Sequence, residues 1–310
     1  MLNVRALAVL LPGIIFASCS PHARAVAVST VSGYDLARAD ASFDLPAELR
    51  EISALTDIDD HTVACVQDEH GWVFHIDLRT GAVTRRMLFG EDGDYEGLTR
   101  IGDALWVLRS DGLMLQLRAE GERLVVARQL TLAIGHQNIE GLGYDARHNT
   151  ILVSPKDVPE GGKVERGRRH VFAVDPATGA QVEGRALTMT LERVLADAAR
   201  LGIELPTKTN RRGKERSDLK LRFSSIAVHP TTDQIYLLSA VDGALLVVDR
   251  QGALHAAHFF APAQLPKAEG ITFLQNGDLV LSSEGGDVPP RVQVFRYRPT
   301  PTQGAPSVGK

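Results

Sequence analysis

Hydrophobic and polar positions repeat in a fixed order along most of this chain. Each repeat contains a short apolar run, a polar turn, a strongly apolar segment, a second turn and an alternating segment. The alternation over residues 72–77 has the period of two that is typical of a β-strand. Five repeats can be aligned, and they begin at Ser53, Glu96, Glu140, Ser224 and Glu269.

The repeat length indicates which β-fold the strands form. Consecutive repeats start 43 to 45 residues apart, except for one interval of 84 residues. One propeller blade has about four strands in about 40–50 residues. We therefore predict an all-β protein, a β-propeller with five recognisable blades over residues 26–300. Residues 29–46 are expected to add a strand to the last blade and so close the ring.

The long interval contains an insertion over residues 191–222. A helix is predicted around residues 191–202, because apolar residues recur there at helical spacing: Leu191, Val194, Leu195, Ala198 and Leu201. Seven Lys or Arg residues then face two acids between residues 208 and 222. This basic stretch is either an anion-binding lid, a contact with anionic lipid heads or a solvated loop. A sixth, degenerate blade within the insertion is a further alternative.

Composition and charge narrow the classes of partner. The 310 residues are 44% hydrophobic, and the formal net charge is −4. A chain of this size and composition can bury a large core. Its charge gives no global reason to expect nucleic acid as a partner. We predict a monomer.

The first 25 residues have the pattern of an export signal. A basic start precedes an apolar stretch that is too short to span a bilayer. Residues 16–19 resemble a bacterial lipobox, in which Cys19 would become a lipidated first residue at a membrane facing the periplasm. Cleavage after Ala25 would instead release a secreted periplasmic protein. Residues 301–310 are predicted to be a disordered tail, and Cys65 to be a small buried residue.

The repeat starts are the first candidates for a functional site. If the first strand of each blade lines the central tunnel, Glu96, Glu140 and Glu269 converge on one axis. Converging carboxylates raise one another's pKa, so they share protons or hold a cation. An oxygen-only set favours Ca²⁺ over Mg²⁺, and we predict these three residues as a calcium site. Alternatively, each Glu bonds to backbone N–H groups of a neighbouring blade, and the following Gly permits close packing.

A second ring is expected near one mouth of the tunnel, at the turn after the second strand of each repeat. Together with the serines of the first ring, it gives the candidate ligand-binding residues Ser53, Glu69, Asp111, Lys156, Ser224 and Glu284. Lys156 could instead neutralise part of the carboxylate ring internally. No nucleophile elbow, zinc-protease or phosphate-loop motif occurs in the sequence, so the catalytic residues are unknown.

Several phrases at the repeat starts resemble a known family. They are EISALT from Glu51, DYEGLTRIGDALWVLRSDG from Asp94, NIEGLGYD from Asn138, SSIAVHP from Ser224 and KAEGITFLQNGDLVLSSE from Lys267. Together they resemble the SdiA-regulated (YjiK-like) family of bacterial envelope proteins. The resemblance implies an exported β-propeller without an established activity. Similar phrases in esterase-like phytase proteins and other calcium-associated propellers imply Ca²⁺ near the hub.

Two functional hypotheses from different classes remain. The first is a lipid-anchored envelope propeller that binds a small molecule or an envelope protein, with Ca²⁺ as a structural ion. The second is a metal-assisted hydrolase of the phosphoesterase, phytase-like or lactonase-like type. The sequence favours the first, because it offers a ring of carboxylates without an ordered base and nucleophile.

Overall fold

A computed structural model describes residues 31–299 of the chain. Five four-stranded antiparallel sheets follow one another along the sequence, as in a five-bladed β-propeller. The predicted all-β fold with five blades is thus confirmed. The signal segment at residues 1–25, Cys19 and the tail at residues 301–310 lie outside the described residues.

The blades have the following strands. Blade 1 contains β2 (Ile52–Asp57), β3 (Thr62–Gln67), β4 (Trp72–Asp77) and β5 (Val83–Leu88). Blade 2 contains β6 (Tyr95–Ile101), β7 (Ala104–Arg109), β8 (Leu113–Glu120) and β9 (Arg123–Thr131). Blade 3 contains β10 (Ile139–Asp145), β11 (Thr150–Pro155), β12 (Arg168–Val174) and β13 (Gln181–Thr190). Blade 4 contains β16 (Ser225–Val228), β17 (Ile235–Ser239), β18 (Ala244–Val248) and β19 (Leu254–Phe259).

Blade 5 is built from both ends of the described chain. It contains β20 (Ala268–Phe273), β21 (Leu279–Ser283), β22 (Arg291–Phe295) and, as its outer strand, β1 (Ala41–Asp44). In the pairing of β1 with β22, Ala41 lies opposite Val294 and Asp44 opposite Arg291. The expectation that the segment before the first repeat completes the last blade is confirmed.

The hydrophobic core is divided into five clusters, one between each pair of neighbouring blades. Cys65 lies fully buried in the cluster between blades 5 and 1, where burial raises the pKa of its thiol. Val31, Tyr34 and Leu36 pack into the cluster between blades 4 and 5. Each blade therefore depends on its two neighbours for the burial of its faces.

The insertion packs against the outside of the ring. Helix α2 (Leu191–Leu201) follows the four-residue helix α1 (Lys163–Arg166) and buries Val194 and Ala198. Thr190 Oγ1 accepts a hydrogen bond from Arg193 N at its start, and Gly202 ends it with a φ of 69°. A two-stranded hairpin follows, β14 (Thr207–Thr209) and β15 (Glu215–Ser217).

The predicted helix is thus confirmed, whereas the alternative of a sixth blade is wrong. Residues 191–222 form a helix and an exposed hairpin instead of a four-stranded sheet, because their apolar residues have helical spacing. Two short 3₁₀ turns, Ala47–Leu49 and Ala240–Asp242, complete the secondary structure. No helix within residues 31–299 is long and apolar enough to span a membrane.

The first strands of the blades form the wall of the central tunnel. Each of β2, β6, β10, β16 and β20 contacts the first strands of both neighbouring blades. The prediction that the repeat starts lie on the innermost strands is therefore confirmed. The end of the tunnel where these strands begin is called the near mouth below, and the end where they finish is called the far mouth.

Candidate functional site

A β-bulge directs the ring residue of four blades. In β6, Tyr95 pairs with Arg109 and Gly97 with Leu108, so Glu96 is the extra residue between them. The same irregularity places Glu140, Glu269 and Ser53 outside the ladders of their strands. A bulge leaves its extra residue unpaired and re-aims its side chain. The recurring Glu therefore marks a bulge at the start of the inner strand.

The Gly that follows each Glu makes room for the neighbouring blade. A Cβ on Gly97 would lie 2.6 Å from Leu142 Cβ, which belongs to blade 3. On Gly270, it would lie 3.1 Å from Leu55 Cγ of blade 1, and 2.2 Å from Ser282 Oγ of its own blade. The sequence-based interpretation that these glycines permit close packing at the hub is confirmed. In blades 2, 3 and 5, the Gly after the Glu thus leaves the space that a Leu or Ile of the next blade fills.

Four side chains meet inside the near mouth, and Glu96, Glu140, Lys156 and Glu269 are called the hub cluster below. Lys156 Nζ lies 2.6 Å from Glu140 Oε2 and 3.7 Å from Glu269 Oε1. The side chains of Glu140 and Glu269 are only 4% and 11% exposed, so one ammonium serves two buried carboxylates. Within residues 31–299, Glu96 forms no ion pair and no side-chain hydrogen bond, although its charge is coupled to the other three.

Burial and mutual repulsion change the ionisation of the hub cluster. Burial, and then the charges of Glu140 and Asp94, raise the pKa of Glu96 to about 9. Burial raises the pKa of Glu269 to about 7 and also raises that of Glu140, although Lys156 opposes both shifts. Burial alone would lower the pKa of Lys156, but the neighbouring carboxylates raise it. At neutral pH, Glu96 is therefore protonated and Lys156 charged.

The geometry of the hub cluster differs from that of a calcium site. Ca²⁺ takes about six to eight oxygen ligands. In the described part of the chain, no three His, Cys, Asp or Glu side chains are grouped to hold a metal ion. The Lys156 ammonium occupies the position between Glu140 and Glu269 that a cation would need. As arranged, these residues fit an internal ammonium and not Ca²⁺, so calcium binding stays a prediction.

The serines of the first ring bond to backbone oxygens. Ser53 Oγ donates to Glu51 O at 3.1 Å, and Ser224 Oγ donates to Ala268 O of the next blade at 3.1 Å. The alternative in which the glutamates themselves bond to backbone N–H groups is not observed among residues 31–299. The contact between blades that was expected from a Glu is instead made by Ser224.

The second ring separates into one inner residue and three rim residues. Lys156 belongs to the hub cluster, whereas Glu284 forms a 2.7 Å ion pair with Lys267 at the rim. Asp111 pairs with Arg109 at 2.6 Å and is 55% exposed. The exposed Glu69 lies 3.8 Å from His70 Nε2 and lines a surface pocket beside blade 1. The structure therefore does not bring Glu69 and Asp111 into the hub cluster.

Further acids surround the near mouth. The buried Asp68 Oδ1 has no hydrogen-bond partner within residues 31–299. Burial, and then the charges of Glu51 and Glu69, raise the pKa of Asp68 to about 6. Asp94 accepts a hydrogen bond from Ser110 Oγ. Sequence reasoning did not select Asp68 or Asp94 as site residues, although each directly precedes or follows a strand at the same mouth as the rings.

Comparisons with known proteins identify the fold but no family. No protein-family model matches the chain, and no curated protein matches it. The chain is similar to the crystal structure of the glutaminyl cyclase of Myxococcus xanthus at 13% identity and a TM-score of 0.55. That match covers 84% of this chain and 95% of the cyclase.

A second solved structure has a comparable likeness. It is the PQQ-bound aldose sugar dehydrogenase of Streptomyces coelicolor, at 12% identity and a TM-score of 0.50. The match covers 84% of this chain and 98% of the dehydrogenase. At these identities, the likeness extends to the fold alone.

Proposed function

We propose that this protein is an exported β-propeller of the cell envelope that binds a positively charged ligand at the near mouth. The observation that carries the proposal is Glu96, a partly exposed carboxyl at the tunnel mouth without an ion-pair partner among the described residues. Its neighbours Glu140 and Glu269 already share the single ammonium of Lys156. A cation beside Glu96 would offset the excess negative charge of the cluster.

The ionisation of Glu96 predicts how such a ligand binds. Because the pKa of Glu96 is raised to about 9, its carboxyl is protonated at neutral pH. A bound cation favours the ionised form, so binding releases a proton and becomes tighter as the pH rises towards 9. The acids of the rim attract the cation towards the mouth, and this contribution weakens with salt.

Calorimetric titration with spermidine, a cationic probe, tests the proposal. The wild type is expected to bind spermidine at pH 8 and to release a proton, measured in two buffers that differ in their enthalpy of ionisation. Glu96→Gln should bind about tenfold more weakly and release no proton. The matched control, Glu122→Gln, removes one exposed charge elsewhere and should bind like the wild type. Equal binding by both variants would overturn the proposal.

The hydrolase alternative is tested on the same samples. Calcium chloride and a chelator are compared for their effect on the melting temperature, and p-nitrophenyl phosphate and acetate for turnover. Calcium-dependent stability without turnover supports a structural ion. Turnover that Glu140→Gln abolishes supports a hydrolase and contradicts a binding-only function.

The envelope location and the lipid anchor at Cys19 belong to the same proposal. They are supported by the apolar export segment and by the lipobox-like residues 16–19. Incorporation of labelled palmitate in the bacterium, compared with Cys19→Ala, tests the anchor, and label that persists in the variant excludes it. We also propose membership of the SdiA-regulated family, supported by phrases that lie at the starts of the inner strands.

A further inference from the structure

The far mouth of the tunnel contains a cavity of about 320 Å³. All five blades contribute the ends of their inner strands to its wall, which includes residues 55–57, 98–100, 142–147, 226–230 and 271–275. This volume is at the lower end of the range of small-molecule sites, about 300–1,000 Å³. None of the residues predicted from the sequence as site residues lies here.

Along the inner strands, a level of apolar residues lies between the ring residues of the near mouth and the next residues of the cavity wall. Two positions after each ring residue, the inner strands carry Leu55, Leu98, Leu142, Ile226 and Ile271, each at most 3% exposed. The next residue along each strand lines the cavity and lies about 10 Å along the strand from the ring residue. The cavity is therefore a place distinct from the near mouth, with its own chemistry.

Three threonine hydroxyls in the cavity wall have no hydrogen-bond partner among residues 31–299. Thr56, Thr99 and Thr272 occupy the same position in blades 1, 2 and 5, and they are 4%, 6% and 7% exposed. None of their hydroxyls forms a hydrogen bond with another residue in the described part of the chain. Buried hydroxyls are normally hydrogen-bonded, so these three are available to a ligand or to water.

The side of the cavity formed by blades 3 and 4 carries small residues and an aromatic ring instead of threonines. At the position of the threonines, blades 3 and 4 carry Gly143 and Ala227, which have no hydroxyl, and the place of a Cβ on Gly143 is taken by the backbone of Ile226 at 2.5 Å. Tyr144 lies beside them, and its hydroxyl is held by Asn149 Oδ1 at 2.8 Å. Because blades 5, 1 and 2 are neighbours, the cavity has one continuous hydroxyl side that faces a side of small residues and an aromatic ring.

The charged groups at the far mouth are paired with one another. Arg100 Nη2 lies 2.7 Å from Asp57 Oδ2, and Arg250 bridges Asp145 and Asp233. Two more side chains join this network, Arg147 at 3.4 Å from Asp233 and His148 at 2.9 Å from Asp145. Three Arg thus balance three Asp, so a charged ligand would gain no complementary partner here.

We propose that the far-mouth cavity binds an uncharged, polyhydroxylated small molecule of sugar size. The three threonines exchange hydrogen bonds with ligand hydroxyls, and Tyr144 contacts its less polar face. The balanced rim excludes charged analogues of the same size. This site is distinct from the proposed cation site at the near mouth, because none of the residues that line the cavity belongs to the hub cluster.

Methyl NMR of the full chain tests the proposal. The threonine methyl signals are followed during titration with D-glucose, D-galactose, maltose and myo-inositol, and with D-glucuronate and D-glucosamine as charged counterparts. At least one neutral probe should shift the signals of Thr56, Thr99 and Thr272 saturably, while both charged probes bind more weakly. Thr99→Val, which keeps the shape of the side chain, should weaken binding about three- to tenfold.

The control variant is Thr131→Val, at an exposed position of β9, and it should bind like the wild type. Thermal unfolding checks that both variants are folded. The proposal is overturned if no neutral probe gives a saturable shift, or if a charged probe binds more tightly than every neutral one. Equal weakening by Thr99→Val and Thr131→Val would also overturn it.

Discussion

The ionised form of the Glu96 carboxyl is disfavoured by the residues around it. The bulge in β6 directs its carboxyl towards two other glutamates, and Lys156 offsets part of the charge of the three. The structure therefore favours the neutral form of Glu96, whereas an unfolded chain leaves it ionised above pH 4.5. The folded protein thus binds more protons than the unfolded chain between pH 4.5 and about 9.

This difference predicts how stability depends on pH. The contribution of Glu96 to the free energy of unfolding should fall as the pH rises from 4.5 to about 9, because the unfolded chain gives up the Glu96 proton more readily. Glu96→Gln, which resembles the protonated acid, should have a shallower slope and exceed the wild type in stability at pH 8. Urea unfolding at several pH values measures the slope. Parallel profiles for the two proteins would contradict the pKa shift.

Lys156 gives a second prediction at this scale. Lys156→Met leaves Glu140 and Glu269 buried without their shared cation, so the free energy of unfolding at pH 8 should fall by about 3–5 kcal/mol. Part of this loss should be recovered at pH 5, where protonation removes the carboxylate charges. The measurement is again urea unfolding at both pH values.

Lys267→Met is the matched control, because the ion pair of Lys267 with Glu284 lies at the rim, where Lys267 is 62% exposed. It should lose less than about 1 kcal/mol. If Lys156→Met loses no more than this control, the two contacts of Lys156 do not stabilise the hub cluster.

The sequence predicted where the three glutamates of the hub cluster lie, but not which group offsets their charge. The repeat placed Glu96, Glu140 and Glu269 on one axis, because equivalent positions of a propeller converge. The sequence pattern left open whether Lys156 or Ca²⁺ offsets the charge of the three glutamates. The answer depends on whether the Lys156 side chain, at the end of the next strand, reaches them. The three threonines at the far mouth were missed because Thr in a strand is common and carries no sequence signal of its own.

The blade is the element that explains the recurring Glu-Gly phrase. Glu is the extra residue of the bulge. Gly leaves room for the Leu or Ile of the next blade, so the Glu-Gly phrase marks a close packing contact between neighbouring blades, called the joint below. Gly97 packs against Leu142, and Gly141 faces Ile226 Cγ2 at 3.4 Å from its absent Cβ. Blade 1 carries Ala54 at the equivalent position after its bulge, so a small side chain also occurs there.

Gly97→Ala tests this joint. Its Cβ would lie 2.6 Å from Leu142 Cβ, so the strands must shift, and the free energy of unfolding should fall by about 1–3 kcal/mol. Gly162→Ala is the control, because no atom lies within 4 Å of its Cβ and its φ is −69°. Denaturant unfolding of both variants measures the difference. Equal stability of the two would show that the close contact does not limit packing.

Within the insertion, the helix was predicted from the sequence and the hairpin was not. The helical spacing from Leu191 to Leu201 and the glycine after it predicted α2 within one residue. The hairpin Thr207–Ser217 was not predicted, because its charged residues have no apolar face that would reveal a strand. An exposed hairpin is stabilised by its turn and a few backbone bonds, which leave little trace in a hydrophobic pattern.

At the scale of the whole molecule, the ring joins two mouths with different chemistry. Acids and the partly buried Lys156 line the near mouth, whereas balanced ion pairs and hydroxyls line the far mouth. Both are built on the same five inner strands, each of which contacts the inner strands of the two neighbouring blades. The closing contact is the pairing of β1 with β22, together with the packing of Val31, Tyr34 and Leu36 between blades 4 and 5.

Two shortened chains test the role of this closure. A chain that begins at residue 31 keeps β1, whereas a chain that begins at residue 45 leaves β22 as an open edge. Unpaired edges associate with other chains, and blade 5 would also lose the apolar packing of residues 31–36. The shorter chain should therefore melt at a markedly lower temperature and aggregate, as followed by thermal unfolding and light scattering. Equal melting temperatures would mean that the inter-blade clusters hold the ring without its closing strand.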